Sequence, residues 1–442
     1  MKITRILLYS LIATLPTYSV GKLENVKEVE LFKYFDIQVG MKGSWIDYLN
    51  QQLAQLNNAP AYKNSSSNFL FKAHPTLAQE LPYVSLGTLP TPVEKLDKIS
   101  EEVGIPVYIK RDDLTGGQDK DGNPWYGGNK VRKLEFLLAQ ALAFCAQKVL
   151  TFGCVGSNHA VATAVHARRL GLQPICMLKH QPFSHVVQHN LLMHLNQGSE
   201  LHYNANNDTR KLAALWVWLE HLKKDGQVPY IIPTGGSNLF GTIGFVNAIF
   251  ELKEQIKQGI LPEPTYIYVP CGSCATTAGI LLGCRVVGLK SQVVAIAVEP
   301  DEDPTFAQNI ERLFKETNAF LHQLDESFPL VSYNGEHLKI NLNFTGPDYG
   351  IFTQEGMDAA QKINDLEHIK LEGTYTAKAL AGLLEEIKSK PHSVALFWDT
   401  YCGLDMSAHL KDRDYKKLPQ CFHEYFDENN IQPLDHGKSM VN

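Results

Sequence analysis

Six short apolar runs constrain this chain more than any other feature. They are VYIK (107–110), VLTF (149–152), PICML (174–178), TYIYV (265–269), VVAIAV (293–298) and SVALFW (393–398). Each is continuous rather than alternating, the pattern of strands covered on both faces. Between them lie stretches with helical spacing. Val131, Leu134, Leu138, Ala141, Leu142 and Cys145 recur at threes and fours along one face. HAVATAVHARRL reads as a further helix, closed by Gly171. Strand, loop, helix and strand in repetition predict an α/β fold built on parallel sheet. Ligands are then expected at the loops beyond the carboxyl ends of the strands.

A chain of 442 residues has room for two or three domains. With a net charge of −6 it has no bulk attraction for nucleic acid or anionic membrane. Eight cysteines at irregular spacing make no disulfide framework, and the lone CxxC of Cys271 and Cys274 has no second ligand pair for zinc. No HExxH is present either, so no metal site is expected. Lys2 and Arg5 precede the apolar run Ile6 to Pro16, so residues 1–19 resemble a secretory signal and imply export. An apolar arm on a cytoplasmic protein is the alternative. The run is too short to span a bilayer. Residues 20–80 read as an extension of mixed polarity, and a new unit starts at LPYVSLGTLPTPVEKL (81–96).

Four loops carry unusual residues, and each has two readings. In YGGNKVRKLEFLL (126–138), Lys130 stands where a glycine turn enters a helix, with Arg132 and Lys133 close by. It reads as a solvated basic turn or as an amine made nucleophilic by desolvation. In GCVGSNHAVATA, Ser157, Asn158 and His159 serve as a helix cap or as a polar ligand set. In VPCGSCATTAGILLG (269–283), Gly272, Ser273, Cys274, Ala275, Thr276 and Thr277 form a tight turn or an anion cup at a helix N-terminus. Tyr349 and Tyr375 sit among glycines, as ordinary half-buried aromatics or as phenols that trade a proton with a leaving group. A lysine, a phosphate cup and a ligand for a ring oxygen are together what pyridoxal phosphate requires.

RDDLTG, GGNKVRKLEFLL, SNH, IPTGGSNLFGTIGF, YGIFTQEG and YTAKALAGL occur in the order found in one group of pyridoxal-phosphate enzymes. From about residue 80 to SVALFW the chain resembles the D-cysteine desulfhydrase and 1-aminocyclopropane-1-carboxylate (ACC) deaminase family. The resemblance implies a tryptophan-synthase-β-like fold (fold type II), with two parallel-sheet α/β domains, the smaller one inserted. The large cofactor domain would comprise residues 81–132 and 245–442, and the small inserted one residues 133–244. Lys130 would form the Schiff base with the cofactor. Asn158 would bond the ring oxygen, and Ser157 and His159 would lie at the substrate carboxylate. Gly272, Ser273, Cys274, Ala275 and Thr276 would hold the phosphate, and Tyr349 and Tyr375 would line the substrate side.

ACC deaminases carry a glutamate facing the pyridine nitrogen directly after the second tyrosine. Here Thr376 stands there, and His159 follows Asn158 where the deaminases have glutamine. Both lean toward the desulfhydrase side. The family usually shows Gly-Gly where this chain has Cys274-Ala275, and two side chains there are expected to crowd the cup. DTYCG replaces the more usual His-Thr-Gly-Gly. The leading expectation is a homodimeric lyase that removes an α-proton from a small amino acid and expels a β-substituent. D-cysteine, giving pyruvate, ammonia and hydrogen sulfide, is the substrate expected. Cyclopropane ring opening, or a non-catalytic binding protein on the same scaffold, is the alternative.

Overall fold

The computed structural model describes residues 68–300 and 305–435, so the signal-like segment 1–19 lies outside the described residues. Ten strands are present there: β1 (Val93–Lys95), β2 (Val107–Arg111), β3 (Lys148–Cys154), β4 (Gln173–Lys179), β5 (Glu200–Asn204), β6 (Tyr230–Ile232), β7 (Tyr266–Cys271), β8 (Gln292–Ala297), β9 (Leu338–Asn341) and β10 (Ala395–Asp399). They form a six-stranded sheet of order β1-β2-β10-β7-β8-β9 and a four-stranded sheet of order β5-β4-β3-β6. β1 runs antiparallel to β2, and every other neighbouring pair is parallel. All four strands of the smaller sheet fall between β2 and β7 in the chain, so that sheet is inserted into the larger one.

The six apolar runs are β2, β3, β4, β7, β8 and β10. β3 and β10 are buried at every position. The four strands without such a run explain themselves. β1, β5 and β9 end their sheets and are half-exposed along most of their length, and β6 has only three residues. A strand with one face or edge in water does not need continuous apolar sequence.

The Lys130–Ala143 helix sits at the junction of the two sheets, buried on nearly every side. Leu134, Leu137 and Leu138 pack with Val149, Val161 and Ile231 of the smaller unit. Phe136 points the other way, against Phe71, Ile243 and Phe245. Cores on both sides thus fix the helix and the lysine at its start. Cys145 does not continue the helix face as its spacing suggested. The helix ends at Ala143, and Cys145 is exposed at a φ of 52°.

Both ends of the described chain are tied to this frame. Residues 68–80, read from sequence as the close of an extension, bury Leu70, Phe71 and Leu77, and Asn68 caps the Phe69–Ala73 helix. Near the other end, Phe422, Tyr425 and Phe426 pack on Val155, Val187 and Leu191 of the smaller unit. The Gln432 side chain then accepts from Phe352 N (2.8 Å) and donates to Gly350 O (3.1 Å). Among the described residues no helix is long and apolar enough to cross a membrane.

Candidate active site

A cavity of about 340 Å³ opens between the two sheets, walled by residues that follow the carboxyl ends of β3, β4, β7, β8 and β10. Lys130, Ser157, Asn158, His159, Gly272, Ser273, Cys274, Thr276, Tyr349 and Tyr375 all line it. The four loops singled out in the sequence therefore converge on one space. Ala275 and Thr376 do not line it.

Lys130 is the first residue of its helix. The turn before it passes so close to the loop after β10 that a Cβ on Gly128 would lie 2.9 Å from the carbonyl oxygen of Thr400, and Gly128 has a φ of +86°. Glycine is the residue that tolerates both constraints. Burial draws the Lys130 amine down to about 8, opposed by the Cys271 thiol and the Glu372 carboxyl. At that value an appreciable share of the amine is free base near neutrality.

Ser157 is a helix cap and a cavity residue at once: its Oγ accepts from Ala160 N at 3.2 Å. Asn158 is oriented by two neighbours. Its Oδ1 accepts from Tyr126 OH (3.0 Å) and from Asn190 Nδ2 (3.1 Å), which leaves its NH2 to donate to a ligand. The His159 ring is almost fully buried, with Nε2 3.0 Å from Thr151 Oγ1. Because Thr151 Oγ1 donates to Ile232 O, it accepts from the ring, and His159 Nδ1 is a buried acceptor without a partner. Burial and the charges of Lys130 and Lys133 hold this imidazole well below its ordinary value, so it is neutral.

The anion cup is built at the start of the Ala275–Val286 helix, whose first N–H groups have no partner within the helix. Ser273 Oγ accepts from Ser237 Oγ at 2.7 Å. Thr276 Oγ1 accepts from Asn129 Nδ2 at 3.1 Å, so its own hydrogen remains available. The Thr277 hydroxyl is buried beside the Cys271 thiol. The approach of the neighbouring loop is tight, since a Cβ on Gly235 would come within 2.0 Å of Ser273 Oγ. Cys274 stands at a φ of 71°, where a non-glycine residue costs about 1–2 kcal/mol. The expected crowding is partly relieved, because its Sγ is directed at the backbone oxygens of Gly272 (3.6 Å) and Phe306 (3.8 Å).

The Tyr375 ring lies beside the cup, 3.4 Å from where a Cβ on Gly272 would stand, and its hydroxyl is 2.5 Å from that of Tyr349. Burial pushes both phenols upward, so each keeps its proton. Beside them the structure departs from the sequence reading. Thr376 is fully buried, and its Oγ1 is engaged with the backbone of Glu372, accepting from N at 3.0 Å and donating to O at 3.3 Å. Glu372, Thr400 and Tyr401 line the cavity here instead. Glu372 accepts from the backbone N–H groups of Thr374 (2.8 Å), Tyr375 (2.6 Å) and Thr376 (3.1 Å). Burial nonetheless raises its pKa, with those N–H groups opposing.

Asn129, Glu372, Thr400 and Arg210 were not singled out from sequence. The first three sit inside or beside the quoted motifs GGNK, YTAKALAGL and DTYCG, so proximity to a motif was the available signal. Arg210, within the Asn207–Asp225 helix, carries no such signal.

A free amine with a lowered pKa, an oriented amide NH2 and an anion cup holding an available hydroxyl hydrogen match the three functional ends of pyridoxal phosphate. The residues present therefore fit that cofactor, which Lys130, Asn158 and the 272–277 turn would hold. Comparison with known proteins agrees. The family described as "Pyridoxal-phosphate dependent enzyme" matches residues 84–398. A Pyrococcus abyssi protein provisionally named 1-aminocyclopropane-1-carboxylate deaminase is 33% identical over 317 residues, covering 71% of this chain and 88% of its own. The D-cysteine desulfhydrase of Serratia proteamaculans is 31% identical over 317 residues, covering 70% and 89%. A crystal structure described as an ACC deaminase homologue superposes with a TM-score of 0.63 at 32% identity, covering 76% of this chain and 95% of that one. The chain belongs to the pyridoxal-phosphate-dependent enzymes of fold type II, in the group that holds the ACC deaminases and D-cysteine desulfhydrases.

Proposed function

We propose that this enzyme removes the α-proton of a small amino acid and expels its β-substituent, with D-cysteine the best single substrate and pyruvate, ammonia and hydrogen sulfide the products. The observation that carries this reading is the pairing, in one cavity, of a lysine amine with a pKa near 8 and two protonated phenols. A base and an acid are what an elimination needs. When bound, pyridoxal phosphate supplies the electron sink for the charge left at Cα.

The chain's own residues then divide the work. Gly272, Ser273, Cys274 and Thr276 anchor a phosphate through the helix N-terminus and the hydroxyls. The Asn158 NH2 fixes the ring oxygen. Ser157 and the N–H groups at the start of its helix receive the substrate carboxylate, with His159 neutral behind them. Lys130 Nζ takes the proton from Cα. Tyr349 and Tyr375, sharing one hydrogen bond, pass a proton to the departing β-substituent. A homodimer is part of the same proposal.

Ring opening of the cyclopropane amino acid is the second reading, and Glu372 favours it. The sequence argument against it placed a hydroxyl, Thr376, at the ring nitrogen, whereas a carboxylate, Glu372, lines the cavity there beside Thr400. Product analysis separates the two. Purified enzyme loaded with cofactor is expected to release sulfide from D-cysteine. Formation of 2-oxobutanoate from the cyclopropane substrate, without sulfide from D-cysteine, would overturn the first reading in favour of the second.

A further inference from the structure

Arg210 is a buried cation with no counter-ion among the described residues. Its residue is 8% exposed, it lines the cavity, and among the described residues no carboxylate pairs with it. Its NH1 donates to Gly153 O (2.9 Å) and its NH2 to Asn207 Oδ1 (3.0 Å), while its Nε is buried with no partner at all. The guanidinium lies 5.6 Å from the Phe152 ring. Burial pulls its pKa below the ordinary value, and only the Cys154 thiol opposes. Lys179, from the end of β4, lines the same cavity. A buried charge normally has a partner, because desolvating it alone is costly.

Neither carboxylate on the cavity wall serves. Glu372 is taken up by three backbone N–H groups, and Glu299, which follows β8 of the other sheet, has interactions of its own. The cofactor does not supply the charge either, since its phosphate belongs to the cup after β7. Arg210 stands at the end of the cleft formed by β3 and β4, next to Cys154, a neutral thiol held up to about 11 by burial that also neighbours Tyr349 and Tyr375 on the substrate side.

We propose that Arg210, flanked by Lys179, receives a second negative charge carried by the substrate, so that the preferred substrates are small amino acids whose β-substituent ends in an anion. This rests on the elimination reading above and, within it, puts an acidic β-ester ahead of D-cysteine as the preferred substrate. A β-sulfate or β-phosphate ester fits. The Cα–H and Cβ–O bonds break, the α-proton goes to Lys130, and the electron pair of Cβ–O leaves with the sulfate or phosphate. Water then releases ammonia and the keto acid from the remaining fragment. No oxidant or reductant is involved.

The test uses the full-length enzyme loaded with cofactor. Serine O-sulfate, O-phosphoserine and cysteine, each as both enantiomers, are compared by kcat/KM in the wild type, Arg210→Gln and Arg210→Lys. An acidic ester is expected to exceed cysteine by about tenfold or more, as one charge-assisted hydrogen bond allows. That preference should fall by about tenfold or more in Arg210→Gln, through KM, and recover in part in Arg210→Lys. Loss shared equally by all substrates would overturn the proposal and place Arg210 at the α-carboxylate or in the scaffold. So would a wild type that prefers cysteine. Binding of cysteate, followed by the cofactor's visible band, gives a readout independent of turnover. If no substrate eliminates, the proposed function fails, yet cysteate that binds about tenfold more weakly to Arg210→Gln, with alanine unaffected, still supports the anion site. Equal binding of cysteate to both proteins would sink it.

Discussion

Arg132 and Lys130 leave the same helix two residues apart and meet opposite electrostatics. Arg132 is wholly buried and fully matched. Its guanidinium contacts Asp112 at 2.8 Å twice, Glu251 at 2.9 and 3.0 Å, and Thr91 Oγ1 at 2.9 Å. Lys110 completes the set, donating to Glu251 (2.5 Å), Gln255 (2.9 Å) and Thr91 O (2.7 Å), and Trp398 Nε1 donates to Asp112 at 2.8 Å. Two cations therefore face two carboxylates. Burial alone would raise Glu251, yet Arg132 and Lys110 hold it down to about 2. At Lys130 burial wins instead, because among the described residues no carboxylate pairs with it directly. Matched charges give a fixed scaffold, whereas an unmatched one gives a proton that moves near neutral pH.

The widest break in that comparison is to remove each cation in turn. Lys130→Ala is expected to lower turnover by about 10⁴-fold, near the upper range for removing a positioned acid–base group. Its thermal midpoint should stay level or rise, since a poorly solvated amine is lost. Steady-state kinetics and a melting curve on one preparation check both halves. Arg132→Met should do the reverse. It leaves Asp112 and Glu251 buried beside a single cation, at a cost of about 3–5 kcal/mol. Denaturant titration should show that loss, while the protein that remains folded keeps a kcat near that of the wild type. A stable Arg132→Met with abolished kcat would erase the distinction between the two charges.

How far the sequence could reach follows from the same physics. β2, β3, β4, β7, β8 and β10 were legible because strands buried on both faces must be apolar throughout. β1, β5 and β9 were not, because edge strands escape that demand. Lys130, Asn158 and the 272–277 turn stood out because tight turns restrict which residues can occupy them. Which way a side chain faces at a helix start is a different matter. Glu372 and Tyr375 reach the cavity while Thr376, one residue on, turns into the core. Motif order places all three at the site but cannot orient them. Arg210 was invisible for a deeper reason: its significance lies in the absence of a partner, which only three-dimensional neighbours define.

The finest contrast concerns the proton itself. The role proposed for Lys130 predicts that protein stripped of cofactor and reloaded with pyridoxal phosphate captures it through the free amine of Lys130. Below its pKa the ammonium has no lone pair to offer, and above it the amine attacks. With the amine at about 8, the capture rate should climb through pH 8 and level off, so that pH 7 is about tenfold slower than pH 9. A lysine in water would keep climbing toward 10. Glu372 raises the Lys130 value, so Glu372→Gln should move the midpoint below that of the wild type. Stopped-flow absorbance over pH 6 to 10 reads both midpoints. A wild-type midpoint near 10.5 would mean that Lys130 is hydrated like any surface lysine, and its contrast with Arg132 would then reduce to geometry. A shift in the Glu372→Gln midpoint would instead show that the one carboxyl near the amine is placed to adjust it rather than to neutralise it.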